Sequence, residues 1–233
     1  MVRDEILPLE DEYHAEVGKA AGGDRFAFTD RQVEIRETLK AKARERGLWN
    51  FWLTGSDRGY GLSTLEYAYL AEEMGWSFLA PEIFNCSAPD TGNMEVIERY
   101  GSTAQKQRWL SDLLEGKKRS AYLMTEPDVA SSDATNIAFS AVLEGDEWVL
   151  NGEKYWASGA GDPRCAVYVL MARTEGEEAG RHGRHSQFLV DAATPGIELL
   201  RPMTVFGHDD APHGHMHIRF TNVRVPKDTI ILG

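Results

Sequence analysis

Apolar residues recur at three- to four-residue intervals through the first half of the chain and at two-residue intervals through the second. Ile35, Leu39 and Ala43 repeat at helical spacing ahead of Gly47. The preceding Thr29-Asp-Arg-Gln32 has the form of a capping box, in which each side chain satisfies the other residue's backbone N–H. The same signature stands at Ser63-Thr-Leu-Glu66, with Gly75 as the stop, and at Ser102-Thr-Ala-Gln105, with Leu110, Leu113 and Leu114 as the buried stripe before Gly116. Leu65, Ala68 and Tyr69 lie on one face of the middle helix and Tyr67, Leu70 and Met74 on another, so it is expected to be well buried. Weaker helical segments cover 4–20, with Pro8 in the first turn, 80–87 and 94–100. Trp49, Phe51, Trp52 and Leu53 read as a core plug. Residues 1–117 are thus expected to form an all-α domain of five or six helices.

From Arg119 the period is two. Ile137, Phe139, Ala141 and Leu143 alternate with smaller or polar residues, Gly145-Asp146 turns the chain, and Glu147 to Leu150 runs back. Cys165 to Met171 is nearly all apolar, which fits a strand covered on both faces. Segments 187–190, 197–200 and 216–225 complete about seven strands. Residues 118–233 are therefore expected to form an antiparallel β sandwich or barrel, and the chain as a whole is α+β.

Composition narrows the function. A hydrophobic share of 42% and six Trp support a packed core, and a net charge of −12 disfavours nucleic acid. No apolar run approaches the roughly 20 residues of a membrane span. The acidic start resembles no leader, so the cytoplasm is the default. Cys86 and Cys165 lack metal or redox spacing and read as reduced thiols. The glycines of Gly55 to Gly61 have no Lys-Ser/Thr after them and make a poor phosphate loop.

The chemistry concentrates between Tyr122 and Thr174. Tyr122-Leu-Met-Thr-Glu-Pro-Asp-Val-Ala-Ser-Ser-Asp133 reads as a strand that ends at Pro127 in a hydroxyl-rich loop able to approach an anion. Asn151-Gly-Glu-Lys-Tyr-Trp-Ala-Ser158 reads as a strand after an Asn-Gly turn, and alternation puts Trp156 and Ser158 on one face. A flat stacking surface flanked by hydroxyls suits a planar heterocycle with a phosphate tail. Glu126, beside a proline at a strand end, reads as a structural acceptor rather than a general base. His213, His215 and His217 alternate with metal-like spacing, but Arg219 continues their face and opposes a cation, so no metal is expected.

These motifs resemble the flavin-binding strands of the acyl-CoA dehydrogenase family, closest to the subgroup that in animals is fused to a kinase-like domain. The resemblance covers residues 30–233 and rests on Thr125 to Asp133, Ser158 to Cys165 and Thr204 to His215. It implies FAD-dependent α,β-dehydrogenation of an acyl-CoA. It also implies a cofactor-binding set of Tyr122, Leu123, Met124, Thr125, Ser131, Ser132, Trp156 and Ser158. Met124 and Thr125 would touch the flavin ring through backbone and hydroxyl, Trp156 would flank it, and Ser158 would bond near N5. Ser131 would lie by the pyrophosphate and thioester. Arg181-His-Gly-Arg184-His185 is a basic cluster in an acidic chain, either a solvated loop or, through Arg181 and Arg184, a contact to the anionic end of coenzyme A. Asp128 and Ala130 stand where many members have glycine, which bears on substrate choice. The family's catalytic carboxylate lies in a third, helical domain that this sequence does not encode, so no catalytic residue is expected here and this chain alone is expected to be inactive. An electron-transfer flavoprotein or similar acceptor and a homo-oligomer are the implied partners. An oxidase or monooxygenase on the same scaffold, and a non-catalytic binding module, remain open.

Overall fold

The computed structural model describes residues 1–53, 56 and 58–232. Gly55 of the three-glycine loop lies outside the described residues. A π-helical turn, Val2–Ile6, leads into α1 (Leu7–Ala15), with Pro8 in its first turn. Then follow α2 (Asp30–Glu45), α3 (Thr64–Met74), α4 (Ala80–Ile83), α5 (Asp90–Tyr100), α6 (Thr103–Gln105) and, after another π turn, α7 (Ser111–Leu114). The boxes at Thr29, Ser63 and Ser102 all close reciprocally.

Helix α3 departs from expectation. Leu65 and Tyr69 are 69% and 66% exposed, and only Met74 is buried. Apolar residues on two faces give a helix surface that can be covered, but coverage needs neighbours, and among the described residues α3 joins the hydrophobic core through Tyr67, Ala71 and Met74. The plug of Phe51, Trp52 and Leu53 is buried in the helical core.

Seven strands follow: β1 (Arg119–Leu123), β2 (Ser140–Glu144), β3 (Glu147–Ser158), β4 (Cys165–Arg173), β5 (His185–Asp191), β6 (Ile197–Pro202) and β7 (His215–Pro226). They form one curled sheet in the order β1-β4-β2-β3-β7-β6, with β5 on the other edge of β4. Most pairs are antiparallel. The β1–β4 pair is parallel because the β2–β3 hairpin intervenes between them in sequence, so the sheet is mixed. After β7 the chain returns to β5 through a bridge between Phe188 and Ile230.

Strand β4 shows why its sequence is so apolar. Val167 and Val169 face the helical core, whereas Tyr168, Leu170 and Ala172 face the interior of the curl. Asn151-Gly152 is no turn but sits inside β3. Gly152 has φ +139°, and a Cβ there would meet Phe139 Cδ2 at 2.7 Å. The hairpin turn is Gly145-Asp146 instead.

Register along β3 and β7 is broken twice. Between Leu150 and Gly152 the extra residue is on β7, where Asn222 has φ +48° and its N–H donates to Asn151 Oδ1. Between Lys154 and Ala157 it is on β3, where Trp156 has φ +56°.

Candidate functional site

The second bulge builds the site. Strict alternation would set Lys154, Trp156 and Ser158 on one face. The extra residue instead turns both Lys154 and Ala157 into the core, 0% and 1% exposed, and leaves Tyr155, Trp156 and Ser158 part-exposed. Ser158 Oγ lies 2.8 Å from His215 Nδ1, and the His215 ring centre lies 6.1 Å from that of Trp156. Tyr155 stands edge-on to Trp156 and to His217.

The loop after β1 packs against this strand. The Tyr155 N–H donates to the Thr125 carbonyl at 2.8 Å, which sets exposed Thr125 and half-buried Met124 beside the bulge. Leu123 is buried in the core of the curl, and Tyr122 packs toward the helices with its hydroxyl 3.3 Å from Gln187 Nε2. Ser131 is turned inward: its hydroxyl is buried and accepts from the Glu126 N–H at 2.7 Å. Ser132 is exposed. The structure thus brings Met124, Thr125, Trp156 and Ser158 together at one surface and leaves the side chains of Tyr122, Leu123 and Ser131 committed elsewhere. Arg181 reaches the hydroxyl loop, but its guanidinium is held by Asp133 at 2.6 Å and Thr135 at 2.8 Å. Arg184 is half-buried, and its carbonyl accepts from Thr174 N.

Glu126 is a structural acceptor. Its carboxylate receives the N–H groups of Ala138 and Phe139 at 2.9 and 3.1 Å and Lys154 Nζ at 2.9 Å. The three alternating histidines have separate partners: His213 pairs with Asp162, His215 with Ser158, and His217 with Glu153. His213 also precedes β7, so the three do not share one strand face.

A cleft of about 940 Å³ opens between the helices and the sheet. Arg119, Ser158, Gly159, His213 and His215 line it from the sheet side, and Tyr13, Phe78 and Pro89 from the helical side. The segment between β6 and β7 forms its rim through His208 to His213. Arg25 secures this rim by a two-pronged bond to Asp209.

Beneath the cleft runs a buried ionic seam that the sequence reading missed. Glu82 on α4, 3% exposed, takes Lys40 of α2 at 3.1 Å and Arg164 of the sheet domain at 2.6 Å. Arg36, Arg119 and His213 stand 3.4–3.6 Å away. Arg164 also holds Asp162, and Arg119 holds Asp90. Burial pushes the Glu82 carboxyl up, but Arg164, Lys40 and Arg119 outweigh it and hold the group well below the usual carboxylate range. A signal was present: Arg36 and Lys40 are flanked by the apolar stripe of α2, and Glu82 lies within Ala-Pro-Glu-Ile-Phe. Among the described residues no cluster has a metal-binding arrangement, and no helix is long and apolar enough to cross a membrane. Both cysteines are free thiols.

A helical domain followed by a curled mixed sheet, with Ser158 of the bulged strand lining the cleft, is the arrangement of the N-terminal and middle domains of the acyl-CoA dehydrogenases. The chain belongs to the acyl-CoA dehydrogenase family. Residues 3–117 match the family's N-terminal domain and residues 121–223 its middle domain. It is 46% identical over 236 residues to the chicken protein called acyl-CoA dehydrogenase family member 11, covering all of this chain and 29% of that one. It is 48% identical over 237 residues to mouse acyl-CoA dehydrogenase family member 10, covering 21% of it. A solved Mycobacterium abscessus structure assigned to the acyl-CoA dehydrogenases superposes with TM-score 0.89 at 49% identity, over 100% of this chain and 57% of that one. The chain therefore spans less than a third of the two animal relatives and little over half of the solved one.

Proposed function

We propose that this chain forms the flavin-facing and acyl-CoA-facing part of an FAD-dependent enzyme that oxidises acyl-CoA thioesters across the α,β bond. The observation that carries this reading is the surface made by exposed Thr125 and part-exposed Trp156 and Ser158, the last of which lines the cleft. Its donor set fits the flavin ring. Among the described residues the Thr125 N–H donates to no protein group, so an amide stands open beside an indole and a hydroxyl. One relative of this fold, from Bacillus anthracis, was solved in complex with FAD.

Met124, Thr125, Trp156 and Ser158 would hold the ring, with Ser132 and Ser131 near its phosphate tail. FAD, when bound, supplies the acceptance of two electrons from the substrate. The chain's own residues bind and orient. Trp156 gives a flat wall held in place by the bulge. His215 fixes the Ser158 hydroxyl. Tyr13, Phe78 and Pro89 give the cleft an apolar wall on the helical side. Arg181, which bonds the hydroxyl loop, and Arg184 are the candidates for the coenzyme A anions, and Arg181 would have to exchange Asp133 for that ligand. Proton abstraction is not assigned to this chain, because Glu126 already serves two backbone amides and Lys154.

The test is an FAD titration read by flavin fluorescence, on residues 1–233 and on the longer parent protein. Flavin uptake by the parent that Trp156→Ala abolishes or weakens supports the reading. A parent that takes up no flavin overturns it.

A further inference from the structure

Lys154 is an unusual residue to bury. Its side chain lies on β3 and is 0% exposed.

 Its ammonium donates to Glu126 Oε1 at 2.9 Å and to the Met124 carbonyl at 3.0 Å, and lies 5.0 Å from the Phe139 ring centre. Glu126 in turn is fixed by the Ala138 and Phe139 amides. The mechanism above uses neither residue.

The Met124 carbonyl and the Thr125 N–H belong to one peptide unit. A cation bonded to the carbonyl draws electron density through that unit and makes the N–H a stronger donor. The effect is large where water is excluded, and Lys154 is fully enclosed. That N–H is the open amide at the flavin-facing surface. We infer that Lys154, held by Glu126, is a positioning residue that polarises the Met124–Thr125 peptide so that its amide favours the reduced, more negative flavin over the oxidised one. The inference rests on the flavin reading of Met124 and Thr125.

The experiment uses the flavin-loaded full-length protein and measures the two-electron reduction potential of wild type, Lys154→Met, Lys154→Arg and the charge-neutral pair Lys154→Met with Glu126→Gln. The neutral pair keeps the shape of the brace without leaving a buried carboxylate unpaired. Expected is a roughly tenfold loss of preference for reduced over oxidised FAD in Lys154→Met and in the neutral pair. For a two-electron couple that is a potential lower by about 30 mV. Lys154→Arg, which keeps the cation, should restore most of it. A wild-type potential in the neutral pair, even with a lowered melting temperature, would make Lys154 a purely structural brace and overturn the inference alone. A wild-type protein that takes up no flavin overturns the flavin reading and this inference with it.

Discussion

Glu82→Gln removes one charge and almost no volume from the centre of the ionic seam. Glu82 is 3% exposed, with Arg164 at 2.6 Å and Lys40 at 3.1 Å. After the substitution Arg164 keeps Asp162, but Lys40, 1% exposed, keeps only Glu37 at 3.9 Å, and Glu37 is half in solvent. Removing one member of a buried pair costs about 3–5 kcal/mol, because the charge left behind is neither paired nor hydrated. In a domain of this size each kcal/mol moves the melting midpoint by about 2–4 °C, so Tm should fall by about 6–20 °C. Urea melts at pH 7 with unchanged m-values would give the free energy directly. Lys40→Met on the Glu82→Gln background should recover part of the loss, with a coupling of about 1–3 kcal/mol. A loss below about 1 kcal/mol, or strictly additive effects, would refute the claim that the seam carries uncompensated charge when opened.

Trp156→Ala in the full-length protein should lower FAD retention by a factor of about 2–10, since an aromatic stacking pair is worth about 0.5–1.5 kcal/mol beyond its area; unchanged flavin content after gel filtration would place the ring elsewhere. Gly152→Ala should cost about 1–3 kcal/mol in urea melts, because it combines a φ that L residues rarely adopt with a contact at 2.7 Å to Phe139. Burial brings Lys154 down to about 8 against the pull of Glu126. Between that value and the ordinary lysine range near 10.4 the unfolded chain binds a proton that the folded one does not, so stability contributed at this site rises with pH across that window. The slope of unfolding free energy against pH from 8 to 10 should therefore be shallower in Lys154→Met; an identical slope would mean that Lys154 stays charged.

The helical half was legible where the rule is local. A capping box needs four consecutive residues, and Thr29, Ser63 and Ser102 each form one. The burial of α3 was not legible, because Leu65 and Tyr69 advertise an apolar face without saying what meets it. In the sheet, the doubly covered β4 could be read from its apolar run. The bulges could not, since each depends on the pairing of β3 with residues some sixty positions away. The same holds for the seam: Lys40, Glu82, Arg119 and Arg164 are widely separated letters that only the packing of helices on sheet brings within bonding distance. At the candidate site, residue types pointed to the surface of Thr125, Trp156 and Ser158, whereas the inward turn of Ser131 and the brace of Lys154 required the fold.

The two interruptions of the β3–β7 ladder have opposite sense, one extra residue on β7 and then one on β3. They cancel, so Ser158 faces His215 in the same phase in which Glu147 faces Pro226. Loss of one residue at Asn222 alone, or at Trp156 alone, leaves the remaining offset uncorrected and swaps the inward and outward sets along one end of the ribbon. Length changes here are thus tolerated by the ladder only as matched deletions, one per strand. Among descendants of this sequence, gaps at these two positions should be inherited together, while the Gly145-Asp146 turn, where no downstream phase is at stake, is free to vary by itself.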